Sequence, residues 1–161
     1  MFKDSYINTH ALRGAFIAHQ LQNLADLISE QGKMVLENAD LPFPPRAVST
    51  VLLIGERGEV SIAEIANALR QPHQLVTQRV EVLIALGTVE RLDDPRDGRR
   101  KILRLTPQGA AQFVRMQGSL EKVSRAFGDL FEEIGCDLPG SAQRVAQALE
   151  ERSVHERVRS L

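Results

Sequence analysis

The 161 residues carry 43% apolar side chains, six Phe, one Tyr and no Trp. That supply suits an aliphatic helical core and disfavours an aromatic-lined cofactor pocket. The formal net charge of −1 argues against a protein that coats nucleic acid indiscriminately. The single cysteine, Cys136, excludes an intrachain disulfide and favours a reducing compartment. The N-terminus lacks the apolar run of a signal peptide, and no apolar stretch approaches the ~20 residues that span a bilayer, so a cytoplasmic, membrane-free protein is expected.

In chain order, Ile17, Leu21, Leu24, Ile28 and Val35 recur at helical steps, with Leu12, Phe16 and Leu27 on an adjoining stripe. They predict a helix from about Thr9 to Leu36 that packs on more than one neighbour. Pro42, Pro44 and Pro45 break it, and a second helix is expected from about Pro44 to Ile54, ended by Gly55 and Gly58. Ser61-Ile62-Ala63-Glu64 has the form of a capping box, so a short helix follows to Leu69. Pro72 suits the first position of another, running to Leu86 with Val76, Val80 and Leu83 inward and Gly87 as its stop. Two short helices joined by a tight turn read as a helix-turn-helix.

From Thr88 the period changes to two. Val89–Leu92 and Ile102–Leu105 are strand candidates, and DDPRDGRR between them has the composition of a hairpin loop. Three helices and a hairpin make a winged helix. Thr106-Pro107 then opens a long helix with Thr as N-cap, and Phe113, Met116, Leu120, Val123, Phe127, Leu130 and Ile134 form a packing seam along it. After GCDLPG, Ser141 is the expected cap of a last helix with Ala142, Val145 and Leu149 inward. The fold class is mainly α with a small β-hairpin wing (α+β). Its parts are an N-terminal dimerisation arm (1–41), a winged helix-turn-helix module (42–105) and C-terminal dimerisation helices (106–161). The arms hold more apolar surface than one small module needs, and a two-fold homodimer through them is the simple solution.

Charge is not spread evenly. Between Arg70 and Leu105 there are eight Lys/Arg and five Asp/Glu, a surplus of +3 that leaves −4 for the rest. One face is therefore suited to an anion. With the apolar stripe of the Pro72–Leu86 helix inward, its other face holds His73, Gln74, Thr77, Gln78 and Glu81. Gln can pair with adenine, and Thr can hydrogen-bond or touch a thymine methyl. The same residues could equally form a plain solvated face, but a helix-turn-helix followed by a wing favours a reader.

IAEIANAL, LVTQRVEVLIALGTVER and DDPRDGRRKILRLTPQG, in this order, resemble the MarR family of winged-helix transcriptional regulators over about residues 45–110. The family's Asp-x-Arg-x-x-Arg falls on Asp94, Arg96 and Arg99, and its Leu-Thr-x-x-Gly on Leu105, Thr106 and Gly109. Gln78 and Gly98 stand where relatives often carry Arg. The resemblance implies a sequence-specific regulator of double-stranded DNA, a repressor that binds a pseudo-palindromic operator as a homodimer and is relieved by a small ligand. His73, Gln74, Thr77 and Gln78 are the expected reader-helix contacts. Arg96 and Arg99 are expected in the minor groove, where Arg meets concentrated negative potential. Arg100, Lys101 and Arg104 are further phosphate candidates. Asp94 is expected to pair with Arg96 or Arg99 and set the loop. The resemblance also implies a small aromatic or phenolic ligand in a crevice between arm and module, with Phe16, His19, Phe43, Pro44 and Arg46 as candidates to line it.

The four histidines have no paired metal-ligand spacing; His10 and His19, nine apart on one helix, would face opposite ways. No nucleophile–base pair or phosphate-cradling glycine loop stands out, so neither an enzyme nor a metal or other cofactor is expected. Cys136 reads as a structural thiol. Two alternatives stay open at this point: a winged helix used for protein interaction without a DNA role, and a redox- or metal-responsive regulator.

Overall fold

The structure is a computed structural model that describes residues 5–95 and 97–161, with residues 98 and 99 described by backbone alone. Two compact units divide between Ser119 and Leu120.

In the first unit, α1 (Tyr6–Thr9) is a single turn, and a 3-10 turn at Arg13–Phe16 leads into α2 (Ile17–Asn38). The one long helix expected from Thr9 is thus broken. His10 closes α1 in an extended conformation, and its ring Nδ1 accepts the Leu12 N–H at 3.1 Å. A side chain that takes a backbone donor in this way competes with helix propagation. Helical spacing of apolar residues alone could not reveal that break. His10 and His19 consequently do not share a helix.

A second 3-10 turn, Pro45–Ala47, precedes α3 (Val48–Arg57). Gly58, at φ +80°, ends α3 as its C-cap, whereas Gly55 lies inside the helix. An added Cβ at Gly55 would overlap the Phe113 ring, so this glycine serves close packing rather than termination. The capping box forms at the start of α4 (Ile62–Ala68): Ser61 Oγ accepts the Glu64 N–H at 3.3 Å, and Glu64 Oε2 accepts the Ser61 N–H at 2.7 Å. The turn after α4 puts Arg70 at φ +48°, the left-handed position usually given to glycine, with the Gln71 N–H returning to the Ala66 carbonyl. Pro72 is the N-cap of α5 (His73–Ala85), one position earlier than expected.

Strands β1 (Val89–Asp94) and β2 (Asp97–Leu105) pair antiparallel. Most of the stretch expected as a loop is therefore strand. A cross-strand ion pair extends the ladder into it: Asp93 lies opposite Lys101 with side chains joined, continuing the pairing of Glu90 with Arg104 in the expected strands. Such pairs contribute about 0.2–1 kcal/mol each to a two-stranded ribbon. Below the tip β1 steps from Asp93 to Asp94 while β2 steps from Lys101 to Asp97, so residues 98–100 form a bulge. Val60 adds a one-residue bridge to Leu103 on the other edge of β2.

The core of this unit is one apolar layer. Val51 and Ile54 of α3, Ile65 of α4, Val76, Val80 and Leu83 of α5, and Met116 have no exposed surface, and Phe43, Val60, Val89 and Leu103 are nearly as buried. Helix α6 (Pro107–Glu133) starts at a tight junction. Thr106 Oγ1 donates to the Gly87 carbonyl at 2.5 Å and accepts the Gly109 N–H at 2.9 Å. Behind it, buried Thr88 donates to Gln112 Oε1 at 2.8 Å.

In the second unit α6 continues from Leu120, followed by α7 (Leu138–Glu151) and α8 (Val154–Val158). Asp137, not Ser141, caps α7: its carboxylate accepts the Gly140 N–H at 3.0 Å, and Pro139 falls in the first turn. Asp is as good a cap as Ser and stands where the chain leaves the Gly135 turn. Leu130, Ile134, Val145 and Leu149 keep two-fifths or more of their surface exposed. Among the described residues no helix is long and apolar enough to cross a membrane.

The Thr106–Gly109 junction makes a prediction. An added Cβ at Gly109 would overlap the Thr88 carbonyl oxygen, while one at Gly118, on the same helix, meets nothing within 4 Å. Gly109→Ala should cost about 1–3 kcal/mol, and Gly118→Ala should gain about 0.5–1 kcal/mol. Urea midpoints at unchanged slope measure both. Equal effects at the two sites would contradict the junction as described.

Candidate nucleic-acid interface

Burial fixes which face α5 shows. Val76, Val80 and Leu83 are fully buried, so His73, Gln74 and Gln78 are exposed on the opposite side and Thr77 is half-buried. The structure therefore brings all four expected reader residues onto one helical face. Thr77 Oγ1 donates to the His73 carbonyl at 2.9 Å, which fixes its rotamer and leaves its methyl and an oxygen lone pair for a partner. No side chain caps the N-terminus of α5, so its first N–H groups point outward without a side-chain acceptor. Glu81, the acidic residue of this face, is held by Arg91 at 2.5 Å and so is tied to β1.

The basic side chains of the wing are largely engaged. Arg104 reaches Glu90 at 2.7 Å, Lys101 bonds Asp93, and Arg100 reaches Glu64 at 2.5 Å and Asp94 at 3.6 Å. Asp94 has Arg100 beside it, and its expected pairing with Arg96 or Arg99 falls on side chains outside the described residues. Arg96 lies outside the described residues, and so does the side chain of Arg99. The backbone of residue 99 lies in the bulge of β2, beside the hairpin tip. Two half-exposed carboxylates of other elements, Glu64 and Glu81, are thus part of this surface. Sequence spacing gave no signal for Glu64, which is 36 residues from its arginine.

Between the start of α4, His73 and the Arg100-Lys101 pair lies an open cleft of about 500 Å³. Its floor is the capping box. Glu64 Oε2 accepts from Ser61 N–H at 2.7 Å, Ser61 Oγ at 2.8 Å and Arg100 Nη2 at 2.5 Å. The arginine bond, then the two serine bonds, hold the Glu64 carboxyl down at about 2 from its ordinary 4.5.

The candidates for a ligand crevice are less uniform. Phe43 is seated in the core, while Phe16, His19 and Arg46 are exposed. His19 is engaged with Asn23 at 3.1 Å, and Arg46 lies 3.8 Å from Asp26 of α2. Cys136 is half-buried, and among the described residues no group of three His, Cys, Asp or Glu could hold a metal.

Residues 41–100 match the MarR family. No curated protein matches the chain. Among solved structures, the transcriptional repressor CouR bound to a 23-mer DNA duplex is 20% identical, with 87% of this chain and 96% of that chain covered at a TM-score of 0.66. FabT of Streptococcus pneumoniae in complex with DNA is also 20% identical, covering 84% of this chain and 96% of that one at 0.63. The PcaV transcriptional regulator of Streptomyces coelicolor is 18% identical, covering 81% and 97% at 0.61. The likeness shows a shared winged-helix fold.

The lowered Glu64 carboxyl fixes a pH dependence. A group that binds its proton more weakly folded than unfolded contributes stability above the unfolded value, and that contribution is lost as pH falls through the folded one. The contribution of Glu64 is therefore complete above pH 4.5 and lost by about pH 2. Glu64→Gln should lower the urea midpoint at neutral pH and flatten its fall over that interval. Parallel acid limbs for the two proteins would show that Glu64 titrates normally.

Proposed function

We propose, from the match of residues 41–100 to the MarR family, that this chain is a sequence-specific DNA-binding transcriptional regulator acting as a homodimer. The observation that carries the reading is the exposed face His73, Gln74, Thr77 and Gln78 of α5, opposite a fully buried Val76, Val80 and Leu83. A helix entering the major groove needs short or hydrogen-bonding side chains near its N-terminus. The uncapped N–H groups of α5 suit a phosphate. Gln74, Thr77 and Gln78 are the base readers in this account, with His73 at the backbone. Arg96 and Arg99 reach the minor groove from the wing, and Lys101 and Arg104, each ion-paired, flank it.

The homodimer is supported by apolar surface left open in each unit. Leu12, Ile17 and Leu21 are half-exposed or more in the first, and Ile134 and Val145 are equally open in the second. Apolar side chains left open in each unit suit burial against a partner, and a second copy is the partner available to every chain. Two reader helices related by a two-fold axis require a pseudo-palindromic site with half-sites about one helical turn apart. In this reading the protein is cytoplasmic, has no enzymatic activity, and represses by occupying a promoter. Relief by a small aromatic ligand near Phe16, His19, Phe43 and Arg46 is the finer part, and it rests on the family alone.

Selection from a random duplex pool supplies the site for testing. Arg96→Ala or Arg99→Ala should weaken binding to every sequence and reduce the slope of log K against log salt by about 1. Gln78→Ala should instead relax preference at one position, by about 1–3 kcal/mol if the contact is bidentate. An unchanged salt slope in the arginine variants sinks the wing assignment; an unchanged selected motif removes Gln78 from the readers. Failure of any duplex to be enriched, while the protein stays folded and dimeric, leaves a winged helix that binds protein instead.

A further inference from the structure

Among the described residues, Arg100 is the cation near the wing tip that reaches across to the helix-turn-helix, whereas Arg91 ties the base of β1 to Glu81. Its Nη2 donates to Glu64 Oε2 at 2.5 Å, and its Nε lies 3.6 Å from Asp94 Oδ2. The Asp94 side chain is 12% exposed, so Arg100 closes over an acid already withdrawn from solvent. The bulge at residues 98–100 is what frees Arg100 from a cross-strand partner. At the far end of the bond, Glu64 is no loose surface acid: the same Oε2 that receives the guanidinium also closes the capping box on Ser61. One carboxylate oxygen thus joins the first turn of α4 to the tip half of the wing, across the cleft beside His73.

From this geometry we propose that Arg100 is a positioning residue, not a DNA contact: clamped between Glu64 and Asp94, it fixes the angle of the wing against the helix-turn-helix. The hairpin needs such a brace. Its root is held by the Val60–Leu103 bridge and the Thr106 junction, but a two-stranded ribbon projecting beyond them has only its own ladder to keep it straight. Arg is suited to the task, because its planar guanidinium offers separate N–H groups to two carboxylates at once. A phosphate contact at the same side chain would bring a phosphate beside the Glu64 carboxylate that already holds the guanidinium.

The two roles predict opposite signs for one substitution. The proposal rests on the DNA-binding reading above. In the full chain, Glu64→Gln keeps an acceptor for the capping box and removes the charge. If Arg100 braces the wing, Glu64→Gln and Arg100→Gln each weaken binding to a selected duplex by about tenfold, and the double variant is no worse than either single one. If Arg100 instead contacts phosphate, Glu64→Gln releases a cation, removes a nearby negative charge and raises affinity; that result overturns the proposal. Hydrogen exchange of the wing amides without DNA gives a second, independent reading. Both single variants should speed exchange at residues 94–101, and unchanged exchange in both also overturns the proposal. Should no duplex bind the parent protein, the DNA reading fails, and hydrogen exchange decides the brace by itself.

Discussion

Three side chains decide what this surface can do. Val76, Val80 and Leu83 are driven completely into the core, on a helix packed against α3, α4 and β1. Burial of that stripe is worth roughly 1.5–3 kcal/mol for each such side chain, far more than any surface contact of the helix. It leaves α5 no freedom to roll. His73, Gln74 and Gln78 face outward as a consequence, and the wing must root where Leu103 closes the same layer. The proposed readers are thereby presented by a helix rather than by a loop.

Much of this is legible from residues alone, because the period of the apolar positions is set by the same burial. The capping box at Ser61 and Glu64, the Thr106 cap and the change of period at Thr88 each act within a few residues, and each forms as expected. The misreadings have a common origin: a local interaction replaced the one that the pattern suggested. His10 takes the Leu12 amide and breaks the first helix. Asp137 caps α7 ahead of Ser141. Gly55, read as a helix stop, makes room for Phe113, a contact 58 positions away in sequence. The charged stretch read as a loop enters the strands through the cross-strand pair of Asp93 with Lys101. No rule of spacing links Glu64 to Arg100, so the most consequential contact of the candidate site was also the least legible.

Charge on this module is therefore better described by its pairing than by its total. A surplus of basic residues between Arg70 and Leu105 suggested a row of available cations. In the structure Arg91, Arg100, Lys101 and Arg104 all meet carboxylates, and these pairs shape the hairpin and seat it on its neighbours. Surface pairs of this kind add little to stability one by one, but they fix direction. A wing held straight lets few cations reach an anion, in a chain whose net charge is close to zero.

The central claim is that the exposed face of α5 and the wing engage one duplex together, once from each half of a dimer. Hydroxyl-radical footprinting of a selected duplex tests it most directly, since it reads backbone contacts nucleotide by nucleotide. The account predicts two protected regions related by two-fold symmetry about one helical turn apart, each with an outer minor-groove protection from the wing. A single unsymmetrical footprint, or protection with no minor-groove component, would contradict it.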